Sequence, residues 1–334
     1  MKLFQKKEAK KTEQQKVDER REEVLATGRK FKYPLQFTKH RIVINTILIA
    51  SIVLAIIIVG GWLALYRFNM DSDMLFRITK ILPVPVATVD GTQVRFSDYL
   101  MFYRSSITSI ERQSGQVDLS GSIEDLRDQY KHAALSEAEE FTYALKLAEA
   151  HGITVTDAEV QAEFDRHLHL GGIERSAESF MKIVEDNFGL SRDEYERLLA
   201  LTLTKAKVEA EIDEPASRTA AKVESLIKEH NGDYAAVAAA LGDQVIYEET
   251  GDYVSNQNID GGRASEAFKL EPGGESGRFV SMNGDGYYFV KLLKKTETEV
   301  NFVSLKVPFT KFKTDFDALR EAGKIEEFIT LPEM

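Results

Sequence analysis

Cysteine is absent from all 334 residues, and that one absence removes disulfide frameworks, thiolate metal sites, thiol nucleophiles and cysteine-linked lipid anchors together. Histidine thins out along the chain: from Gly171 onward only His230 remains, and no Ser-His-Asp arrangement emerges anywhere. The glycines beyond residue 250 lack both a P-loop lysine and the Rossmann spacing, so no phosphate-binding loop is expected. A basic surplus is missing as well. The net charge of −11 argues against a nucleic-acid partner, whose phosphates call for a basic face. Neither metal nor cofactor is expected: Asp165 and His169 lie one helical turn apart with His167 nearby, but two ligands without a third read as a solvated helix face. The acidic clusters Glu137-Glu139-Glu140 and Glu211-Asp213-Glu214 read in the same way, as exposed faces.

Charge is also missing from one long stretch. Ile42 to Tyr66 runs for 25 residues without a charged side chain, and about 20 apolar residues suffice for a helix to cross the hydrocarbon core, where no water can satisfy exposed peptide groups. With 41 residues before it, excessive length and no small-residue cleavage pattern after it, the stretch predicts an uncleaved signal anchor rather than a signal peptide. Residues 1–41 carry a net charge of +7, with Arg29, Lys30, Lys32, Lys39 and Arg41 close to the apolar run. The positive-inside rule therefore places the N-terminus in the cytoplasm and everything after Arg67 outside, with Arg41 at the inner interface and Trp62 and Tyr66 in an outer aromatic belt. Residues 2–32 hold few apolar anchors and predict a solvated cytoplasmic tail, with a protein partner as the alternative use.

About 265 residues follow, enough for two modest domains with real cores. Residues 67–85 read as a juxtamembrane connector closed by Pro83 and Pro85. Val86 to Val89 reads as a strand, Asp90-Gly91 as a tight turn and Thr92 to Phe96 as the return strand, with Ser97 as the N-cap of the next helix. Apolar residues three or four apart from Ile123 to Ala148 predict a long helix stopped by Gly152. Thr156 with Glu159 and Ser191 with Glu194 have capping-box spacing, and the second box opens a helix reaching Ile212. From Pro215 the texture turns to short helices and glycine-separated strands, with strands expected at Gly277 to Met282, Tyr287 to Leu293 and Val300 to Val307. The fold class is α+β. The divisions are a tail (1–41), a transmembrane helix (42–66), a connector (67–85), a mainly helical domain (86–214), a small α+β domain (215–297) and a C-terminal strand-helix-strand (298–334).

Two stretches resemble known families. VATVDGTQVRFSDYLMFYR, the helix ending in LAEAHGITVTDAEVQAEF, and GLSRDEYERLLALTLTKAKV resemble the SurA-type N-terminal chaperone domain found in foldases of the bacterial envelope. GDYAAVAAALGD, GDYV, ASEAFKLEPGGESG and GDGYYFVKLLKK, in that order, resemble a parvulin peptidyl-prolyl isomerase domain. The parvulin resemblance implies a proline slot of Met/Leu and Phe, and two His with a Cys or Asp at the twisting amide. Here Gln244, after Asp243, stands where the Cys or Asp belongs, Ile259 replaces Met/Leu, Arg263 falls near the Phe, and Tyr288 replaces a His. Rotation about an X-Pro bond faces a barrier of about 18–20 kcal/mol, and losing donors and wall together favours a non-catalytic groove for extended peptides. The resemblances imply a membrane-tethered extracytoplasmic chaperone for unfolded or newly translocated polypeptides, without cofactor. A parvulin isomerase with a substituted site and an envelope scaffold are the alternatives. Val300 to Val307 is expected to replace the missing sheet strand, and Ile325 to Leu331 to pair with Val86 to Val89.

Overall fold

The computed structural model describes residues 13–32, 34–114, 123–170 and 173–332. The first twelve tail residues lie outside these, as do the side chains of Arg29, Lys30, Lys32 and Lys39 that weighed in the orientation argument. Two units separate along the chain, Met1–Ala64 and Leu65–Met334.

The first unit holds α1 (Glu13–Lys32) and α2 (Pro34–Trp62). Proline is tolerated in a first helical turn, where its missing N–H would be unpaired in any case, so α2 starts eight residues before the apolar run. A π-helical turn, Leu63–Arg67, follows, and the segment Arg41–Arg67 is long and apolar enough to cross a membrane. Arg41 and Trp62 are exposed. The Tyr66 hydroxyl donates to the Pro85 carbonyl at 2.6 Å and its ring meets Phe96 edge-on at 5.9 Å, contacts with the folded part that follows.

The connector is not featureless. It contains α3 (Asp73–Ile81), whose Leu75, Phe76 and Thr79 are buried against the next helices. A hairpin of β1 (Pro85–Val89) and β2 (Thr92–Arg95) turns at Asp90 and Gly91, whose φ of 46° and 83° fit the primed turn that matches strand twist. Next come α4 (Phe96–Ser114), α5 (Ile123–His151), α6 (Asp157–Leu168), α7 (Ala177–Phe188) and α8 (Arg192–Ile212). Both capping boxes form as the spacing predicts. The expected cap at Ser97 does not: the helix already includes Phe96, and the Ser97 hydroxyl is buried without a partner among the described residues. α4 packs on α5 and α7, and α5 on α8, around Phe96, Leu100, Tyr103, Leu135 and Leu201.

The remainder comprises α9 (Glu214–Glu229), α10 (Tyr234–Leu241), β3 (Ile246–Glu249), β4 (Val254–Ser255), α11 (Arg263–Phe268), β5 (Phe279–Val280), β6 (Gly286–Lys295), β7 (Glu299–Pro308), α12 (Lys311–Glu321) and β8 (Ile325–Glu327). An antiparallel sheet runs β3-β7-β6-β5, with β4 also on β7. Period-two alternation sorts its faces. Phe289, Val303, Leu305 and Val307 face α9 and α10, whereas Val290, Leu292, Val300 and Phe302 face α11. The stretch Val300 to Val307 lies within β7, between β6 on one side and β3 and β4 on the other. The chain then returns: β8 pairs antiparallel with β1, Ala87 opposite Glu327, and completes a sheet ordered β2-β1-β8. With helices throughout and two antiparallel sheets, the fold is α+β.

The exposed-face reading of the acidic clusters fails at two positions. Glu139 is fully buried and accepts from Arg320 of α12 at 2.7 Å. Asp213 is buried at the junction of α8 and α9. Each carboxylate has a partner from far along the chain, Arg320 for Glu139 and the Thr310 and Lys311 amides for Asp213, beyond the reach of local periodicity.

Candidate functional site

The α11 face of the large sheet brings charged and aromatic side chains together. Because β6 and β7 pair with Tyr288 opposite Lys306, and Ser304 lies two residues before Lys306, these three side chains project to the same side. Arg263, at the first position of α11, reaches over them. Its guanidinium lies 5.3 Å from the Tyr288 ring centre, pairs with Glu248 of β3, and donates to the Asp260 carbonyl at 2.9 Å and to Ser304 Oγ at 3.4 Å. On the other flank Lys306 pairs with Asp285, to which the Tyr288 hydroxyl also donates at 3.2 Å. Phe279 stacks on the far side of the Tyr288 ring at 6.1 Å.

Burial and charge set the titration of this cluster. Burial alone would raise the Asp285 carboxyl, but donation from Lys306 and Ser281 outweighs it and holds the group below its ordinary value. Burial, then the Asp285 charge, raises the Tyr288 phenol. Burial would lower Lys306, and its bond to Asp285 raises it instead. The cluster is thus an interlocked set of ion pairs in which Lys306 stays charged and Tyr288 stays neutral at physiological pH.

Of the residues singled out from sequence, Arg263 and Tyr288 meet here. Ile259 does not: it sits in the loop before α11, 70% exposed. Asp243 and Gln244 occupy a 3₁₀ turn, Gly242–Gln244, after α10, where the Gln244 amide donates to the Leu241 carbonyl at 3.3 Å. The acid facing Arg263 is Glu248, and sequence reasoning missed it along with Asp285, Ser304 and Lys306. The alternation within Val300 to Val307 was the available signal for the last two. Among the described residues no metal-binding cluster forms. His169 Nδ1 meets the carbonyl of Asp165 at 2.8 Å while the Asp165 carboxylate accepts from Gln161, and His167 Nδ1 meets the Tyr195 hydroxyl at 2.6 Å.

Beside this cluster runs a crevice between α8 and the segment around Val280 to Tyr287. Its widest part, about 600 Å³, is walled by Leu203, Ala206 and Ala210 on one side and Val280, Met282 and Tyr287 on the other. Ala206 continues into a second part of about 480 Å³ lined by Phe141, Phe309, Phe312 and the charges of Lys205, Glu209 and Asp285. Met282 continues into a third of about 240 Å³ under Ile259 and Leu170. All three parts are open, and charged side chains stand among the apolar ones in each: Glu163, Lys207 and Glu211 in the first, Lys205, Glu209 and Asp285 in the second, Arg166 and Asp260 in the third.

The sequence matches the model of the SurA-like N-terminal domain over residues 36–209, more than half of the chain. The chain belongs to this family. Comparison with curated proteins gave no match. The SurA-like domain places the chain among chaperone-like folding factors that work outside the cytoplasm, and α8, which walls the crevice, lies almost wholly within the matched segment. The apolar helix at Arg41–Arg67 fits a single-pass anchor for such a factor.

Proposed function

We propose that the protein is a membrane-tethered holding chaperone that receives unfolded or newly translocated polypeptides in the crevice along α8, with its N-terminus in the cytoplasm and the chain from Arg67 onward outside. The observation that carries the reading is the pairing of an open crevice, lined by apolar side chains with charges among them, with a sheet face closed by charge. Leu203, Val280, Met282 and Tyr287 offer apolar contact without demanding a sequence. The module from α9 to β7 is a parvulin-like fold lacking catalysis: Arg263, Glu248 and Tyr288 fill the α11 face where a proline ring would need an apolar slot. The surplus of Lys and Arg in residues 1–41 supports the orientation.

Two assays on the purified full-length protein in detergent, run side by side, test the proposal. The chain is expected to suppress aggregation of an unfolded client at near-stoichiometric ratio and to leave the cis-to-trans conversion of an X-Pro peptide at its uncatalysed rate. Met282→Asp, on an exposed side chain, is expected to weaken client protection several-fold with folding unchanged. Catalysed isomerisation lost in Tyr288→Phe would make the protein an isomerase instead. Failure of both activities, with a defined partner recovered through residues 1–41, would make it a scaffold.

A further inference from the structure

α3 is apolar on two sides. Leu75, Phe76 and Thr79 are buried inward, and the helix is clamped there: Arg104 lies 4.8 Å over the Phe76 ring and pairs with Asp73, and Lys80 pairs with Glu194 at 3.1 Å. Met74, Ile78 and Ile81, spaced i, i+4 and i+7, form a second stripe that points away from the protein, with Ile81 82% exposed. Phe68 and Met70 in the preceding link and Leu82 just after the helix are exposed too. Arg77 stands on the same outward face, and Arg67 lies just ahead of the link. An apolar stripe held rigid on a folded domain, with Arg77 beside it and the nearby Asp73 already paired to Arg104, is the arrangement of a helix lying in a lipid interface.

Chain connectivity identifies the occupant. Only Phe68 to Ser72 separate the last residue of the apolar segment, Arg67, from the start of α3. Five residues reach at most about 18 Å fully extended, which keeps α3 close to the headgroup region whatever path the link takes. We infer that the outward stripe of α3 lies on the outer lipid surface, so that the protein holds its membrane at two places, a span and an interfacial helix, and the anionic headgroups meet Arg67 and Arg77. The inference rests on reading Arg41–Arg67 as a membrane span. Its consequence is a folded domain held at a restricted height and tilt above the bilayer rather than swinging on a single tether.

The absence of native cysteine makes the test direct. Single substitutions Ile52→Cys, Ile78→Cys, Ile81→Cys and Ile173→Cys in the full-length chain, each carrying a nitroxide, are placed in nanodiscs containing anionic lipid. Collision with oxygen and with a water-soluble nickel complex is then compared. Labels at 78 and 81 are expected to show several-fold lower nickel and higher oxygen collision than the label at 173, approaching the label at 52. Labels at 78 and 81 matching 173 while 52 is lipid-embedded would overturn the interfacial helix and leave the span standing. A water-exposed label at 52 would overturn both. Protection at 78 accompanied by spin–spin broadening that vanishes on dilution with unlabelled protein would assign the stripe to a second copy of the chain and overturn the lipid assignment.

Discussion

Asp213 is one carboxylate with two helices to cap. Its Oδ1 accepts from the Ala216 amide at 2.9 Å, closing the start of α9, and its Oδ2 accepts from the amides of Thr310 at 2.7 Å and Lys311 at 2.9 Å, closing the start of α12. Removing it strands three backbone donors, one a helix cap worth about 1 kcal/mol and two others costing about 1–3 kcal/mol each when buried without a partner. Because Thr310 is exposed and Lys311 half-buried, the low end of that sum applies: Asp213→Ala is expected to destabilise the protein by about 3 kcal/mol in urea denaturation, and Asp213→Asn, which can serve only one helix well, by an intermediate amount. Glu139 carries a different consequence. Burial pushes its carboxyl up to about 7 against the opposing pull of Arg320, and burial does the same to Glu209 in the crevice. A carboxyl whose folded value lies above its unfolded value of about 4.3 binds more protons in the native state, so its contribution favours folding at low pH and is lost as pH rises toward 7. Denaturation midpoints are expected to fall between pH 5 and pH 8. In Glu139→Gln that fall should shrink, the variant gaining on the order of 1–3 kcal/mol at pH 8 relative to the parent's own pH trend. A parent chain equally stable at both pH values would remove the argument.

At the scale of elements, what the sequence made legible was local. The capping boxes at Thr156 and Ser191, the stop at Gly152 and the alternation in Val300 to Val307 each depend on neighbours within a few residues, and each forms. α3 escaped notice because nine residues between prolines and a span look like a link, and its helical period serves two faces at once. Ser97 misled because a cap is defined by backbone geometry at the helix start, which Phe96 had already entered. The candidate site was half legible: Arg263 and Tyr288 stood out by their departure from a family pattern, whereas Glu248 and Asp285 join through sheet register and turn geometry that no local pattern encodes. β8 is short, three residues, yet it covers the edge of β1, and the segment after it buries Ile329, donates from Phe328 N to the Val86 carbonyl at 2.9 Å, and accepts at Thr330 O from Asn69. Ending the chain after Gly323 exposes that edge and one large apolar side chain, a loss of at least about 3 kcal/mol. The truncated protein is expected to melt well below the full chain by circular dichroism; an unchanged melting temperature would show the last strand to be dispensable.

The connectivity of the whole molecule ties these residues together. The helical part is made of two separated stretches, α3 to α8 and then α12 to β8, since α12 packs Phe312 and Phe316 on Tyr143 at 5.1 and 5.8 Å and sends Arg320 to Glu139. The sheet module from α9 to β7 is inserted between them, leaving at Asp213 and returning at Thr310. Those two crossing points are the pair that Asp213 joins by a direct hydrogen bond, so the inserted module closes a loop whose ends already touch. A protein in which residues 214–309 are replaced by a short glycine-serine linker is therefore expected to keep the helical part folded, with a cooperative thermal transition and the Glu139 pH dependence intact. It should lose the wall formed by Val280, Met282 and Tyr287, and with it most of the client protection. Folding retained with protection undiminished would move the binding surface onto the helices alone. Loss of the cooperative transition would mean that the sheet module contributes to the helical core and not only to the crevice.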